Sequence, residues 1–368
     1  MPSVQRRARN TRRGVRQKPP RGLIIMTALV PTIGHQYAIE VAAHHMKQRH
    51  GQLHVVVNDR SFEPLSGTLR ASAIAEQFAH MPWVHVINYT DDEAPQEDDG
   101  TQEFWDYWVA IAEKATGWSH FSHVFASEPY GKPYAAQLDA EFIPVDIARE
   151  VFHTKGTDVR ASILSRWAEV MPMFRKHLVR RIVFFGADSC GKTTMARTFA
   201  GDHWGFGGTF LPEWARPYLE TVGEEVTLDK MENIIYTQFA TQNAVSSSVD
   251  SPWVFMDTDL LTTLGYHRIY KMEPKCGMNR LEQMVRESHG HLYIVMNDGI
   301  PFTADPLRYG GDKRESNTKF WTDLLDEFGF DYYVVQNTDK IKQIHEIGDV
   351  IAKFQRDTFQ VISKFVRE

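Results

Sequence analysis

Gly186 and Gly191 stand five positions apart, and Lys192, Thr193 and Thr194 follow at once. Glycines let a backbone curl until its N–H groups converge on one point. A lysine there adds a cation, and a hydroxyl adds a ligand for a hard metal ion. This spacing is that of a loop that cradles a nucleoside triphosphate, with Ser189 a further donor to phosphate. Lys192 reaches the β- and γ-phosphates, and Thr193 holds Mg²⁺. Downstream, Asp257 ends the apolar run Trp253-Val-Phe-Met256, where such loops find the acidic partner of their metal. Asp257 and Thr193 are therefore the expected metal ligands. Glu213 precedes a helix together with Arg216, and a carboxylate at that place can take a proton from an attacking hydroxyl. Asp259 is the other acid in reach, as substrate contact or as base in place of Glu213. Arg308 and Arg314, around Gly310-Gly311, read as a lid that closes on the transferred phosphate.

A second group of polar residues lies near the start of the chain. Thr32-Ile-Gly-His35 follows an apolar run, Leu23–Val30, and opens a helical pattern. Gly34 allows close approach to a phosphate chain, and Thr32 and His35, one turn apart, can both donate to it. Thr157 and Arg160 sit at a later helix start, within Lys155-Gly-Thr-Asp-Val-Arg160. Between them lie Trp105 and Trp108 after an acidic run, and Ser127-Glu128-Pro-Tyr130 after the Phe121–Ala126 strand. The two tryptophans read equally well as core aromatics of a helix or as a face for a cationic ring.

These residues need elements to position them. Apolar runs of strand length alternate with helical patterns: strands at 53–57, 84–89, 121–126, 182–185, 253–256, 292–296 and 332–336, and helices at 70–81, 104–116, 192–200, 231–246 and 340–365. Such alternation implies an α/β protein with two mainly parallel sheets, each carrying its chemistry at the carboxyl ends of strands. The expected domains are a basic disordered tail at 1–21, a Rossmann-like domain at 22–165, a connector at 166–180 and a P-loop kinase domain at 181–368.

The 368 residues carry a net charge of −6, yet residues 1–21 contain eight Lys or Arg and no acid. A solvated arm accounts for that tail, and nucleic-acid contact is expected, if anywhere, only there. No apolar run is long enough to cross a membrane. Two cysteines form no disulfide framework or zinc site, and Cys190 lies in the phosphate loop, which points to a cytoplasmic location.

With these residues in view, the chain resembles the nucleotidylyltransferase superfamily in Thr32-x-Gly-His35 and in Thr157-x-x-Arg160. In Ser127-Glu-Pro-Tyr130, Trp105-x-x-Trp108, Glu213-x-x-Arg216 and Asp257-Thr-Asp259 it resembles one subfamily, the bifunctional nicotinamide mononucleotide adenylyltransferase / ribosylnicotinamide kinases (NadR-like). The resemblance covers about residues 22–335. It implies an enzyme of NAD biosynthesis and pyridine nucleotide salvage. The second domain would phosphorylate nicotinamide riboside with ATP, and the first would adenylate nicotinamide mononucleotide with ATP, giving NAD and pyrophosphate. Mg²⁺ is the implied cofactor. Thr32, His35 and Arg160 would be catalytic in the first domain, and Lys192 and Glu213 in the second. Gly34, Thr157, the phosphate-loop residues and the lid arginines would bind ATP. Trp105, Trp108, Ser127, Glu128, Tyr130, Arg216 and Asp259 would contact substrate.

The match has gaps. Met26-Thr-Ala-Leu29 replaces the family's Gly-Lys-Phe, Thr32 replaces the commoner histidine, and Thr154-Lys155 stands for Ile-Ser. Three alternatives stay open: a kinase-only enzyme, an NAD-responsive regulator with a degenerate adenylyltransferase domain, and a deoxynucleoside kinase with an appended domain. Oligomeric state is not legible.

Overall fold

The computed structural model of the chain describes residues 19–201, 206–223, 225–297 and 318–365. The basic residues of 1–18 and the lid residues Arg308 and Arg314 lie outside this set. Contacts divide the chain into two compact units. The first holds 19–27, 35–61 and 67–153, and the second holds 28–34, 62–66 and the described residues from 154 onward.

The first unit alternates strand and helix: β1 (Arg21–Met26), α1 (Ile33–Gln48), β2 (Gln52–Asp59), α2 (Gly67–Gln77), β3 (Val84–Thr90), α3 (Gln102–Thr116), β4 (His123–Ala126), α4 (Gly131–Gln137) and β5 (Glu141–Pro144). Its sheet runs β3-β2-β1-β4-β5, parallel at every pairing. The order reverses between β1 and β4, which places the switch point where β1 and β4 end. β2 is buried along nearly its whole length, as a central parallel strand must be. Leu23, Val56, Ala112, Phe121 and Val124 form one core cluster, and Trp105 and Trp108 of α3 pack on it.

Sequence periodicity carries the first strand to Val30, but β1 stops at Met26. Ala28 lies in the left-handed region, at φ 41°. Arg70, which has no exposed surface, donates to the carbonyl of Thr27. Its guanidinium lies 3.9 Å from Asp59, whose carboxylate also accepts from Gly67 N, Asn88 Nδ2 and Thr90 Oγ1. A buried charge needs such a network, and this one fixes the turn that ends β1.

The second unit holds α5 (Gly156–Ala161), a 3₁₀ turn at Trp167–Glu169, α6 (Pro172–Leu178), β6 (Arg180–Phe185), α7 (Lys192–Ala200), β7 (Thr209–Leu211), α8 (Ala215–Val222), α9 (Leu228–Ser248), β8 (Trp253–Asp257), α10 (Leu260–Ile269), α11 (Met278–Ser288), β9 (Leu292–Val295), α12 (Thr318–Phe328), β10 (Tyr332–Val334) and α13 (Lys340–Ser363). The strand order is β10-β9-β6-β8-β7, again all parallel. β6 is central, so the loop after it opens between the ends of β8 and β9. Phe185 meets Tyr293 and Trp321 edge-on, with ring centroids 5.3 and 5.1 Å apart. Burying aromatics of this size contributes about 1.5–3 kcal/mol each, which anchors the strand that leads into the loop.

The helices start where the chain offers caps. Thr227 accepts from Lys230 N at the start of α9. Asp339 accepts from Ile341 N and Lys342 N at the start of α13. Each satisfies N–H groups that a helix end leaves without partners. Among the described residues, no helix is long and apolar enough to cross a membrane.

Candidate functional site

The phosphate loop forms as the spacing requires. Gly186 has φ 125° and Gly191 φ 92°, values that side-chain-bearing residues rarely adopt. A Cβ on Gly186 would stand 2.9 Å from the carbonyl oxygen of Met296, so both space and conformation demand glycine there. Ser189, also left-handed at φ 61°, has a buried hydroxyl with no hydrogen-bond partner among the described residues. α7 begins at Lys192 and directs its free N–H groups and positive dipole end into the loop. Lys192 Nζ donates to the carbonyls of Gly186 at 3.1 Å and Ala187 at 2.7 Å. Burial works against its charge, but Cys190, Asp188, Asp257 and Glu213 around it carry its pKa above the ordinary value. It is a cation at any working pH.

Thr193 Oγ1 donates to Asp257 Oδ2 at 2.5 Å. The other oxygen, Oδ1, is buried and has no hydrogen-bond partner among the described residues, in a residue only 2% exposed. An orphan carboxylate oxygen beside a threonine hydroxyl at a phosphate loop is the donor set Mg²⁺ takes, its remaining ligands being phosphates and water. The residues present fit the ion. Among the described residues, no group of three or more His, Cys, Asp or Glu could hold a metal ion.

Glu213 precedes α8, and Arg216 lies in that helix's first turn. Burial and then the Asp257 charge raise the pKa of Glu213, while Lys192 and Arg216 oppose the rise. A carboxylate held near Lys192 with a raised pKa is suited to receive a proton. Asp259 has another task. Its carboxylate caps α10, accepting from Leu261 N at 3.1 Å and Thr262 N at 3.3 Å, and accepts from Tyr293 OH at 2.6 Å. It is 1% exposed. In this structure Asp259 is the cap of α10 and the acceptor of Tyr293, where the sequence suggests a substrate contact or base. An acid two residues past a strand end reads alike as ligand or helix cap, and here the cap prevails.

Around the other motifs, His35 lies in the first turn of α1. Burial and then the neighbouring Arg149 charge lower its pKa to about 4, so it is neutral near pH 7. Arg149 Nη2 also donates to Glu128 Oε1 at 3.1 Å. Sequence reasoning missed Arg149, which lies in no motif. Tyr130 OH donates to Ile25 O at 3.1 Å, at the end of β1, and Ser127 directly follows β4. Trp105 stacks near Tyr134, with centroids 6.4 Å apart and 27° between planes. Both tryptophans are half-buried, so each packs on the core and keeps part of its surface open.

Gly34 and Thr32 fall in the second unit, with Thr157 and Arg160 of α5. A Cβ on Gly34 would lie 3.5 Å from Thr154 O and 3.6 Å from Thr32 Oγ1. Thr32 is 1% exposed and bridges to Val170, so its hydroxyl does not face solvent as the motif suggests. Thr157 is exposed and Arg160 half-buried.

A family model described as an AAA domain matches residues 181–342. The chain is similar to the "Trifunctional NAD biosynthesis/regulator protein NadR" of Salmonella typhimurium (strain LT2), 25% identical over 254 residues, 64% of this chain and 58% of that protein. It is similar also to the protein of that name from Escherichia coli (strain K12), 24% identical over 230 residues, 59% of this chain and 53% of that one. The chain thus spans little more than half the length of these relatives. Among solved structures, a NadR protein in complex with NR superimposes with a TM-score of 0.63 at 20% identity, over 95% of this chain and 98% of that one. A NadR protein in complex with NAD and AMP-PNP gives 0.62, at the same identity and coverage. The structural match shows a shared two-sheet fold. In sequence and in fold, the chain is similar to NadR proteins.

Proposed function

We propose that the chain is an enzyme of NAD biosynthesis with two ATP sites. The second unit transfers the γ-phosphoryl group of ATP to the 5′-hydroxyl of nicotinamide riboside. Glu213 removes the hydroxyl proton, the freed oxygen bonds to the γ-phosphorus, and the bond to ADP breaks. Lys192 and the N–H groups of the loop and of α7 neutralise charge on the transferred group. Thr193 and Asp257 would hold Mg²⁺, which would supply positive charge to offset that of the phosphates. The carrying observation is the Thr193–Asp257 pair with its open buried oxygen, in the electrostatic neighbourhood of Lys192 and of Glu213, whose pKa is raised. The pyridine substrate rests on similarity to NadR proteins, one of them solved with NR.

His35, Gly34, Thr157 and Arg160 support the second reaction, in which the mononucleotide phosphate attacks the α-phosphorus of ATP and pyrophosphate leaves. Trp105 and Trp108 are the aromatic surfaces proposed for the pyridinium ring. A neutral His35 suits donation of a hydrogen bond without a permanent charge. A kinase with a non-catalytic first unit is the second reading, favoured by the buried Thr32 and by the missing family lysine. The test is a nucleoside panel with ATP and Mg²⁺, read as ADP release. Nicotinamide riboside is expected to be the preferred acceptor. A preference for deoxynucleosides would make the second unit a kinase of another class.

A further inference from the structure

One carboxylate near the phosphate loop has no part in the scheme above. Asp188 lies within the loop, between Gly186 and Lys192, and is half-buried. An acid there repels a triphosphate, so a structure that holds one in place calls for a compensating role. Asp188 Oδ1 accepts from Tyr266 OH at 2.7 Å. No protein group is hydrogen-bonded to Oδ2 among the described residues.

The mount is stiff. Tyr266 stacks on Tyr270, with centroids 5.8 Å apart and 24° between planes, and meets the buried Trp321 edge-on at 5.6 Å. Its helix, α10, is pinned by the Asp259 cap. Burial and then the Asp188 charge raise the Tyr266 pKa, so its hydroxyl stays a donor.

The position of Asp188 decides what it can touch. Its charge bears on Lys192 and on Glu213, the two groups to which the proposed mechanism gives the transferred phosphate and the acceptor hydroxyl. In a nucleoside attacking through its 5′-oxygen, the groups nearest that oxygen belong to the sugar, and the base lies farther off. Ribose offers two donors there, the 2′- and 3′-hydroxyls. A carboxylate with a free oxygen recognises a sugar hydroxyl through a charge-assisted hydrogen bond.

We propose that Asp188 reads the ribose hydroxyls of the phosphoryl acceptor, with Tyr266 as its positioning residue, so that the site selects ribosides over deoxyribosides. This rests on the kinase reading of the second unit. It adds that the phosphate loop itself supplies a specificity contact to the acceptor.

The test uses the full chain with ATP and Mg²⁺. Turnover and calorimetric binding are measured for one accepted riboside and for its 2′-deoxy and 3′-deoxy forms. Wild type is expected to favour the riboside by about 10- to 100-fold in kcat/KM, the range for one hydrogen bond to a charged group. Asp188→Asn is expected to erase most of that preference, raising KM for the riboside with a smaller change in kcat. Tyr266→Phe, which keeps the charge and releases its anchor, should fall between the two. Melting curves and ATP binding identify a variant that misfolds, and Tyr266→Phe then carries the test alone. An undiminished riboside preference in folded variants overturns the inference and leaves the kinase reading intact. So does a loss of kcat at unchanged KM, which would make Asp188 the base. Failure of wild type to phosphorylate any riboside overturns the kinase reading and this inference with it.

Discussion

Glu213 is raised above the ordinary glutamate range by burial, with the Asp257 charge adding to the effect. A base must be ionised to work, so a raised pKa moves the acid limb of the phosphoryl-transfer rate to higher pH. Glu213→Gln is predicted to remove that limb and to slow the reaction by about 10²–10⁴-fold. A kcat/KM profile against pH checks this, and an unchanged profile would remove Glu213 from the chemistry. His35 gives the opposite sign. Burial and Arg149 bring it down to about 4, so in the free protein its imidazole signal in NMR is expected to stay that of the neutral ring from pH 8 to pH 5. A midpoint near 6.5 would show it solvated instead. At this scale the sequence is legible where a motif is contiguous, as from Gly186 to Thr194. It is not legible where partners are distant. Tyr266 and Asp188 are 78 positions apart, and nothing in the spacing of either residue announces the pair. Arg149 beside His35 is equally silent.

α10 shows how an element can absorb a residue that looks chemical. Asp257 and Asp259 are two positions apart. The first ends β8 facing Thr193, and the second turns into the helix as its cap. Asp259→Ala removes the cap and leaves Tyr293 OH without its acceptor, a predicted loss of about 2–4 kcal/mol. Denaturant unfolding reads it. Burial raises the Asp259 pKa to about 6 against its hydrogen bonds, so the folded state holds this proton more tightly than the unfolded chain does. The stability this gives is complete below the unfolded value and is lost as pH rises through 6. The permanently neutral Asp259→Asn is therefore predicted to gain on wild type as pH rises from 4 through 6. A gap that stays constant would contradict the assignment. Sequence periodicity finds the long helices, because α13 repeats its apolar face over many turns. It does not find β5 and β7, whose four and three residues are too short to show a period. It overruns β1, since the left-handed turn at Ala28 and the buried Arg70 that fixes it leave no mark in the apolar run.

On the scale of the whole molecule, alternation of strand and helix is enough to imply two parallel sheets, and the structure has them. The boundary is subtler. A linear reading ends the first domain at residue 165, whereas contacts group the segment from Thr154 onward, and 28–34 with it, in the second unit. Chain order does not reveal such exchange. The central claim is that one chain carries two separable ATP-dependent steps. The direct measurement is product analysis after incubation with nicotinamide riboside, ATP and Mg²⁺, for wild type, Lys192→Ala and His35→Ala. Wild type should form the mononucleotide and then NAD. Lys192→Ala should lose mononucleotide formation by at least about 10²-fold yet still convert supplied mononucleotide to NAD. His35→Ala should stop at the mononucleotide. No mononucleotide from the wild type, or NAD formation unchanged in His35→Ala, would contradict the account.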